Sequence, residues 1–336
     1  MCGANRDSHR KFHVWRRLIK ISLITPAKKQ ARNGNRATAL RWARFLRKVG
    51  HRVDIDIDYA SKTTDLMIAI HAWRSSDAII RYRKKYPDGP LIVCLGGTDV
   101  NKFLKTDPET VLQSMEMANA LICLHDLMGN ELPISLRNKL FLVQQSAVPL
   151  PCPRRPAIQN FDICVIGNLR DEKDPFRTAL AARRLPKTSR IRVIHIGKAH
   201  TPVFAAQAAK EMIANPRYSW IGEVPGWMVR RELIKTKLMV ISSKQEGGAN
   251  VVSEAIVAGV PIIASNIPGN LGLLGREYPG YYPVGDEKKL AQLLERAEAE
   301  PKFLSILEDH LQKLRPLFGA VYEEAALTRV INLVAS

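Results

Sequence analysis

The 336-residue sequence contains no run of eighteen or more apolar residues, so nothing in it reads as a membrane-spanning helix. Met1 to Arg17 are polar and basic and lack the apolar centre of a secretion signal; residues 1–17 read as a flexible basic extension. Cysteine is scarce. The five are far apart, Cys94, Cys123 and Cys164 within apolar strand-like runs and Cys2 and Cys152 in coil, and no spacing suits a disulfide framework or a metal site. A reduced, cytoplasmic setting is expected. Acidic residues are outnumbered, 32 against 51 Lys and Arg, and the net charge of +19 leans toward the first half. Such an excess suits either a polyanion or a cavity that handles small anions. No nucleic-acid-binding motif accompanies it, and the basic run Arg81 to Lys85 reads as a solvated helix face, which argues against nucleic acid as a partner. No carboxylate pair has the close spacing of a divalent-metal site beside a phosphate loop, so neither metal nor cofactor is expected.

What is present is an alternation of short apolar runs and amphipathic stretches, the pattern of an α/β fold. Strands are expected at Leu18 to Thr25, Val53 to Ile57, Leu66 to Ala72, Leu91 to Leu95, Ala120 to Leu124 and Leu140 to Val143, with helices such as Ala37 to Val49 and Pro108 to Ala118 between them. Together they make a doubly wound, Rossmann-like domain over residues 18–148. Four prolines from Pro149 to Pro156 preclude helix and mark a hinge over 149–160. Strands at Phe161 to Gly167, Ile191 to Gly197 and Leu238 to Ile241, again alternating with helices, form a second such domain over 161–318, and a last helix occupies 319–336.

Polar loops follow these strands, at the edge where a parallel sheet usually binds its ligand. Leu238 to Ile241 runs through Ser242-Ser243-Lys244-Gln245-Glu246-Gly247-Gly248 into an apolar helix. The paired glycines let a ligand approach the backbone, and the unpaired amides of the first turn favour anionic oxygens. Glu254 falls among Val251, Val252, Ala255 and Ile256, where a charge needs a partner. Glu246 and Glu254 suit the vicinal hydroxyls of a hexose and a ribose; alternatively, Glu246 complements the helix dipole and Glu254 pairs with an arginine. In the first half, Ala27 to Arg36 carries Lys28, Lys29, Arg32 and Arg36 around Asn33-Gly34-Asn35, either a site for a tetrahedral anion or an exposed basic turn. His71 and Arg74 follow the third strand and Gly96-Gly97-Thr98-Asp99 the fourth. His71 is open to a functional or a structural role.

From Leu238 to Ser265 the order is strand, Glu-Gly-Gly turn, helix with a second glutamate, Gly259 and a buried strand, followed by the Gly-rich loop Ile267-Pro268-Gly269-Asn270. This closely resembles the donor segment of nucleotide-sugar glycosyltransferases of the two-domain B-type architecture. The resemblance implies two Rossmann-like domains facing across a cleft, with the last helix returning to brace the first. It implies that Glu246 and the Gly247 and Gly248 amides hold the donor sugar, that Glu254 holds the ribose, and that Lys173 holds the diphosphate. The family's arginine just after the glycine of that loop is Asn168 here, with Arg170 as a candidate substitute.

Ile24-Thr25-Pro26 and Asn33 to Ala39, with Arg41-Trp42, Gly50-His51, His71-Ala72-Trp73-Arg74-Ser75, Gly97-Thr98-Asp99 and Gln145-Ser146, are similar to the selenosugar synthases of selenoneine biosynthesis, over nearly the whole chain from about Leu18. Gly96 stands where a threonine is more usual. This resemblance implies transfer from a UDP-sugar, UDP-GlcNAc or UDP-glucose, to selenophosphate: selenium attacks the anomeric carbon, UDP leaves and phosphate is lost, giving a 1-selenosugar. A functional link to a selenophosphate synthase follows. Catalytic roles fall to Glu246, Lys173 and His71. The donor set is Asn168, Arg170, Lys173, Glu246, Gly247, Gly248 and Glu254; the acceptor set is Lys28, Asn33, Gly34, Asn35, Arg36, Arg74, Thr98 and Asp99. Selenophosphate is already ionised and needs no strong general base, and no convincing carboxylate–histidine base is visible in the sequence. An ordinary O-glycosyltransferase with a hydroxyl acceptor, and a non-enzymatic polyanion-binding module, remain as other readings.

Overall fold

The structure, a computed structural model, describes residues 18–31 and 33–335; the extension 1–17 and Arg32 lie outside the described residues. Two six-stranded sheets carry the chain. The first contains β1 (Lys20–Ile24), β2 (Arg52–Asp56), β3 (Leu66–Ile70), β4 (Leu91–Cys94), β5 (Ala120–Cys123) and β6 (Leu140–Leu142), in the order β2-β1-β3-β4-β5-β6. The second contains β7 (Phe161–Ile166), β8 (Ile191–Ile196), β9 (Tyr218–Trp220), β10 (Leu238–Ile241), β11 (Ile262–Ser265) and β12 (Tyr281–Tyr282), in the order β12-β11-β10-β7-β8-β9. All pairings are parallel. Each strand therefore returns by a crossover, and the helices of those crossovers cover the sheets.

In the first domain these are α1 (Gly34–Lys48), α2 (Ser76–Lys85), α3 (Leu104–Thr106), α4 (Pro108–Met117) and α5 (Ile134–Arg137). In the second they are α6 (Arg177–Ala182), α7 (Pro202–Ala214), α8 (Gly226–Lys235), α9 (Asn250–Ala258), α10 (Pro268–Leu274), α11 (Glu287–Ala299) and α12 (Pro301–Leu314), followed by α13 (Ala320–Ala335). The central strands β3, β4, β5, β10 and β11 are buried throughout, which is why they read as unbroken apolar runs. Two local expectations are corrected. Helix α1 begins at Gly34, before Ala37, because the Asn33 side chain accepts the Arg36 amide at 3.0 Å and caps it. The expected loop at Pro268 to Asn270 is the first turn of α10, with proline where its missing amide costs nothing.

The strand order reverses between β1 and β3 in the first sheet and between β7 and β10 in the second. Crossovers leave on opposite faces at such a point and open a crevice at the carboxyl ends of the strands. The loops after β1, β3, β7 and β10 all begin there.

Helix α13 returns to the first domain, burying Leu327, Val330 and Ile331 in the core that holds Trp42 and Phe45. Its Glu323 is fully buried. The carboxylate accepts from Arg41 Nε at 2.7 Å, Trp42 Nε1 at 2.8 Å, the Ser146 amide at 2.8 Å and Ser146 Oγ at 2.5 Å. The proline-rich linker lies against the second domain: Arg155 and Ala157 donate their amides to the carbonyls of Ile234 and Lys235 at 2.8 and 3.0 Å. The Arg154 guanidinium also holds the carbonyls of Gly259 and Thr236. The two crossing chains meet where the Ala147 amide donates to the Phe318 carbonyl at 3.2 Å. Among the described residues no helix is long and apolar enough to cross a membrane.

Removing the Glu323 carboxylate strands a buried guanidinium and three further donors. Glu323→Ala is expected to cost roughly 3–5 kcal/mol in urea denaturation, the range for breaking a buried ion pair on one side. A loss below about 1 kcal/mol would show that water replaces the carboxylate there.

Candidate functional site

A cavity of about 380 Å³ lies between the carboxyl edges of the two sheets and is lined from both domains. On the second-domain side, the loop after β7 turns through Asp171 to Lys173 and is fastened to the loop after β10. Ser242 Oγ donates to the carbonyls of Lys173 and Asp174 at 3.0 Å, and the Lys244 amide donates to Glu172 O at 2.8 Å. That fastening sets Lys173 Nζ in an ion pair with Glu246 Oε1, which also accepts from Ser243 Oγ at 2.6 Å. Helix α9 has no side-chain cap, so Gly248, Ala249, Asn250 and Val251 at its start present their backbone to the cavity wall. Asn168 and Arg170 line the same wall. Asn168 Oδ1 accepts the Lys198 amide at 3.0 Å, while Arg170 Nε has no hydrogen-bond partner among the described residues and lies 3.8 Å from Glu172 Oε2.

Glu254 sits one turn beyond Asn250, outside the residues that line the cavity. No side chain or amide among the described residues hydrogen-bonds it. Burial pushes its pKa up to about 7, against the opposing charges of Arg41 and Arg230.

Across the cleft, Asn33, Gly34 and Asn35 line the cavity at the start of the 15-residue α1. Behind them Gln145 Nε2 donates to Thr38 Oγ1 at 2.6 Å; both residues are buried and line the cavity, and Gln145 Oε1 has no partner among the described residues. Lys28 and Lys29 are exposed and, like Arg36, are not among the lining residues, which corrects the acceptor set expected from the sequence.

His71, Arg74 and Thr98 are brought together. Asp99 is wholly buried and does not face the cavity, a second correction. Its oxygens accept the amides of Ala72 and Trp73, each at 2.9 Å, and of Gly96 at 2.7 Å, and one meets His71 Nδ1 at 2.6 Å. This clamp holds His71 at φ 77°, a left-handed conformation unusual for a side chain other than glycine. With Nδ1–H directed at Asp99, Nε2 is the acceptor; Thr98 Oγ1 lies 2.8 Å from it and Arg74 Nε donates to it at 3.2 Å. The chain therefore does contain a carboxylate–histidine pair, contrary to expectation. Asp99 and His71 are 28 residues apart and meet because β3 and β4 are neighbours.

Residues 156–313 match the family Glycosyl transferases group 1. Over 81% of its length the chain is 24% identical to Glycosyltransferase 1 domain-containing protein 1 of Xenopus tropicalis, covering 86% of that protein. In structure it is similar to HepE of Anabaena, solved in complex with UDP-glucose, with a TM-score of 0.74, 12% identity and coverage of 94% of this chain and 100% of that one. It is also similar to the sucrose-phosphate synthase of Thermosynechococcus elongatus, with a TM-score of 0.73, 15% identity and coverage of 94% and 99%. The fold is that of the B-type glycosyltransferases. The family match over the second domain, together with this fold, supports a glycosyltransferase.

In this glycosyltransferase fold the cleft is shut by backbone. A Cβ on Gly97 would collide with the amide nitrogen of Gly247, and one on Gly247 with the backbone of Gly97, so the two loops touch main chain to main chain. Gly248, at φ 132°, is likewise against Leu124 of the first domain. Further lining residues had escaped the sequence reading: Thr38, Gln145, Glu223, Val224, Val229 and Asn250. Glu223 and Val224 follow β9, a strand of three residues, too short to show a period and mark the loop after it. Gln145, in the Gln145-Ser146 motif, and Asn250, at the start of the apolar helix, carry no charge to single them out.

Gly97→Ala is expected to force the two loops apart with both sheets intact. Hydrogen exchange should then rise at the amides of 96–98 and 246–248 while that of β3 and β10 stays unchanged. Equal protection of both loops in variant and parent would show that they are not in contact in solution.

Proposed function

We propose that the protein is a glycosyltransferase that takes a UDP-sugar, carrying N-acetylglucosamine or glucose, and transfers the sugar to selenophosphate to give a 1-selenosugar. The observation that carries this reading is the charge arrangement of the cavity: cations on both walls, Lys173 and Arg170 on one and Arg74 on the other, with the start of α1 beside Arg74. A site with anion-binding groups on each side suits two anionic substrates. Similarity to a fold solved with UDP-glucose supports the nucleotide.

On this reading Glu246 Oε2, which takes no hydrogen bond in the structure, accepts from the sugar hydroxyls, and Glu254 accepts from the ribose. Lys173, Arg170 and the first-turn amides of α9 hold the diphosphate. Selenophosphate lies between Arg74, Thr98 and the first turn of α1. A selenium lone pair forms the bond to the anomeric carbon as the bond from that carbon to the diphosphate oxygen breaks, and UDP departs with the electron pair. Lys173 and the amides stabilise the charge that develops. Water then attacks phosphorus, and inorganic phosphate leaves the selenium as a selenol or selenolate. No base is needed for the attack, since selenophosphate is already ionised; His71 Nε2 stays with Thr98 and Arg74. A reducing cytoplasm, with a selenophosphate synthase to supply the acceptor and without nucleic-acid or membrane partners or a metal, belongs to the same proposal. Among the described residues, no three His, Cys, Asp or Glu side chains gather as a metal site.

One observation favours a hydroxyl acceptor instead. Asp99 orients His71 as an aspartate orients a general base, and Nε2 would take a hydroxyl proton once Thr98 and Arg74 release it.

Mass spectrometry of the protein incubated anaerobically with UDP-GlcNAc or UDP-glucose and selenophosphate is expected to show a selenium-isotope product matched by UDP release. UDP release without a selenium product would turn the assignment to another acceptor, and absence of UDP release would remove the donor assignment. Glu246→Ala and Lys173→Ala should each lower turnover by about 100-fold or more with the fold intact. His71→Asn, which tolerates the left-handed backbone, should reduce selenosugar formation by no more than about tenfold. A hydroxyl acceptor would make the same change cost on the order of 10²–10⁴.

A further inference from the structure

Arg41 is a first-domain side chain that reaches α9 of the second domain. It lies seven residues beyond Gly34 on α1, two helical turns along the same face. That face meets the start of α9: a Cβ on Gly34 would sit 3.2 Å from Asn250 Nδ2, and Arg41 Nη1 donates to Asn250 Oδ1 at 3.2 Å. Glu254, four residues after Asn250, shares its face of α9. The guanidinium therefore stands between two carboxylates in different circumstances. Glu323, to which Nε donates at 2.7 Å, is saturated by four donors from the first domain and the junction. Glu254 has none. Arg41 Nη2 is buried without a hydrogen-bond partner among the described residues.

We propose that Arg41 is a positioning residue for the nucleotide: the first domain, by closing, presents this charge to Glu254 and so fits that carboxylate to grip the ribose. The inference rests on the donor reading above, in which Glu254 takes the ribose hydroxyls. Only an ionised carboxylate accepts from both hydroxyls with all its oxygens free; protonation converts one of them into a donor. The charged groups that face Glu254 are Arg41 from α1 and Arg230 from α8. Burial outweighs these two cations and leaves its pKa at about 7, so near neutral pH its charge is sensitive to both of them. Arg230 belongs to the second domain and stays with Glu254 whatever the cleft does. Arg41 is tied through Glu323 to α13 and the first domain, so on this proposal it meets Glu254 only when the cleft is closed. Ribose binding and domain closure thereby reinforce each other, since each favours the state in which Arg41 and Glu254 are neighbours.

The test is calorimetric binding of UDP to the full chain from pH 6 to 9. Because the terminal phosphate of UDP itself titrates near pH 6, the quantity read is the difference between variant and wild type at each pH. Arg41→Met is expected to weaken binding about tenfold at pH 7.5 and to move the acidic limb of the affinity profile up by about one pH unit, with the gap closing by pH 9. Arg41→Lys should recover most of the loss, and Glu254→Gln should bind weakly with no such limb between pH 7 and 9. Should Arg41→Met fail to fold, Arg41→Gln, which keeps donors for Glu323, carries the same comparison. A variant profile parallel to wild type at every pH, or no change at all, overturns the role of Arg41 while leaving the donor site standing. Wild-type protein that binds no UDP overturns the donor reading and this inference with it.

Discussion

The buried carboxylate of Glu323 is the constraint on which the two-domain arrangement rests. A glutamate with no exposure to water must have its oxygens satisfied, and the four donors that satisfy it come from α1 and from the segment after β6. Helix α13 is thus held to the first domain by a polar contact as well as by Leu327, Val330 and Ile331. The chain that begins in one domain, builds the second and comes back is closed at this point, and everything between is positioned relative to it.

The site itself is made by fastening loops, with few of its side chains fixed by their own secondary structure. Ser242 and the Lys244 amide hold the loop that carries Lys173; Asp99 holds the loop that carries His71. In both cases a buried polar group spends its hydrogen-bonding capacity on backbone, so that a neighbouring side chain arrives in a defined place. The unusual backbone of His71 persists because three amides and its own ring nitrogen converge on one carboxylate.

This explains what sequence reasoning could and could not reach. The apolar runs of β3, β4, β7 and β10 and the loops after them were visible, because burial on both faces writes a continuous apolar string and the ligand edge interrupts it with glycine and charge. Glu246, Lys173 and the start of α1 were singled out from those interruptions, and all of them line the cavity. The pairing of His71 with Asp99 was not, since it depends on which strands are neighbours, and neither was Glu323, whose partners lie across some 280 residues of chain. Lys28 and Arg36 do not line the cavity: a cluster of charge in a loop says nothing of direction, and Lys28 is exposed while Arg36 is half-buried on α1.

The linker has a mechanical consequence. Arg154, Arg155 and Ala157 fasten it to the second domain, so despite its prolines it travels with that body as a strut. What remains free to bend is the short crossing near Ala147 and Phe318, where the two connecting chains are bonded to each other. Opening is then a swing about one narrow axis, with all the facing loops parting together at the rim. Admission of a ligand to the cavity and entry of water would then be a single event.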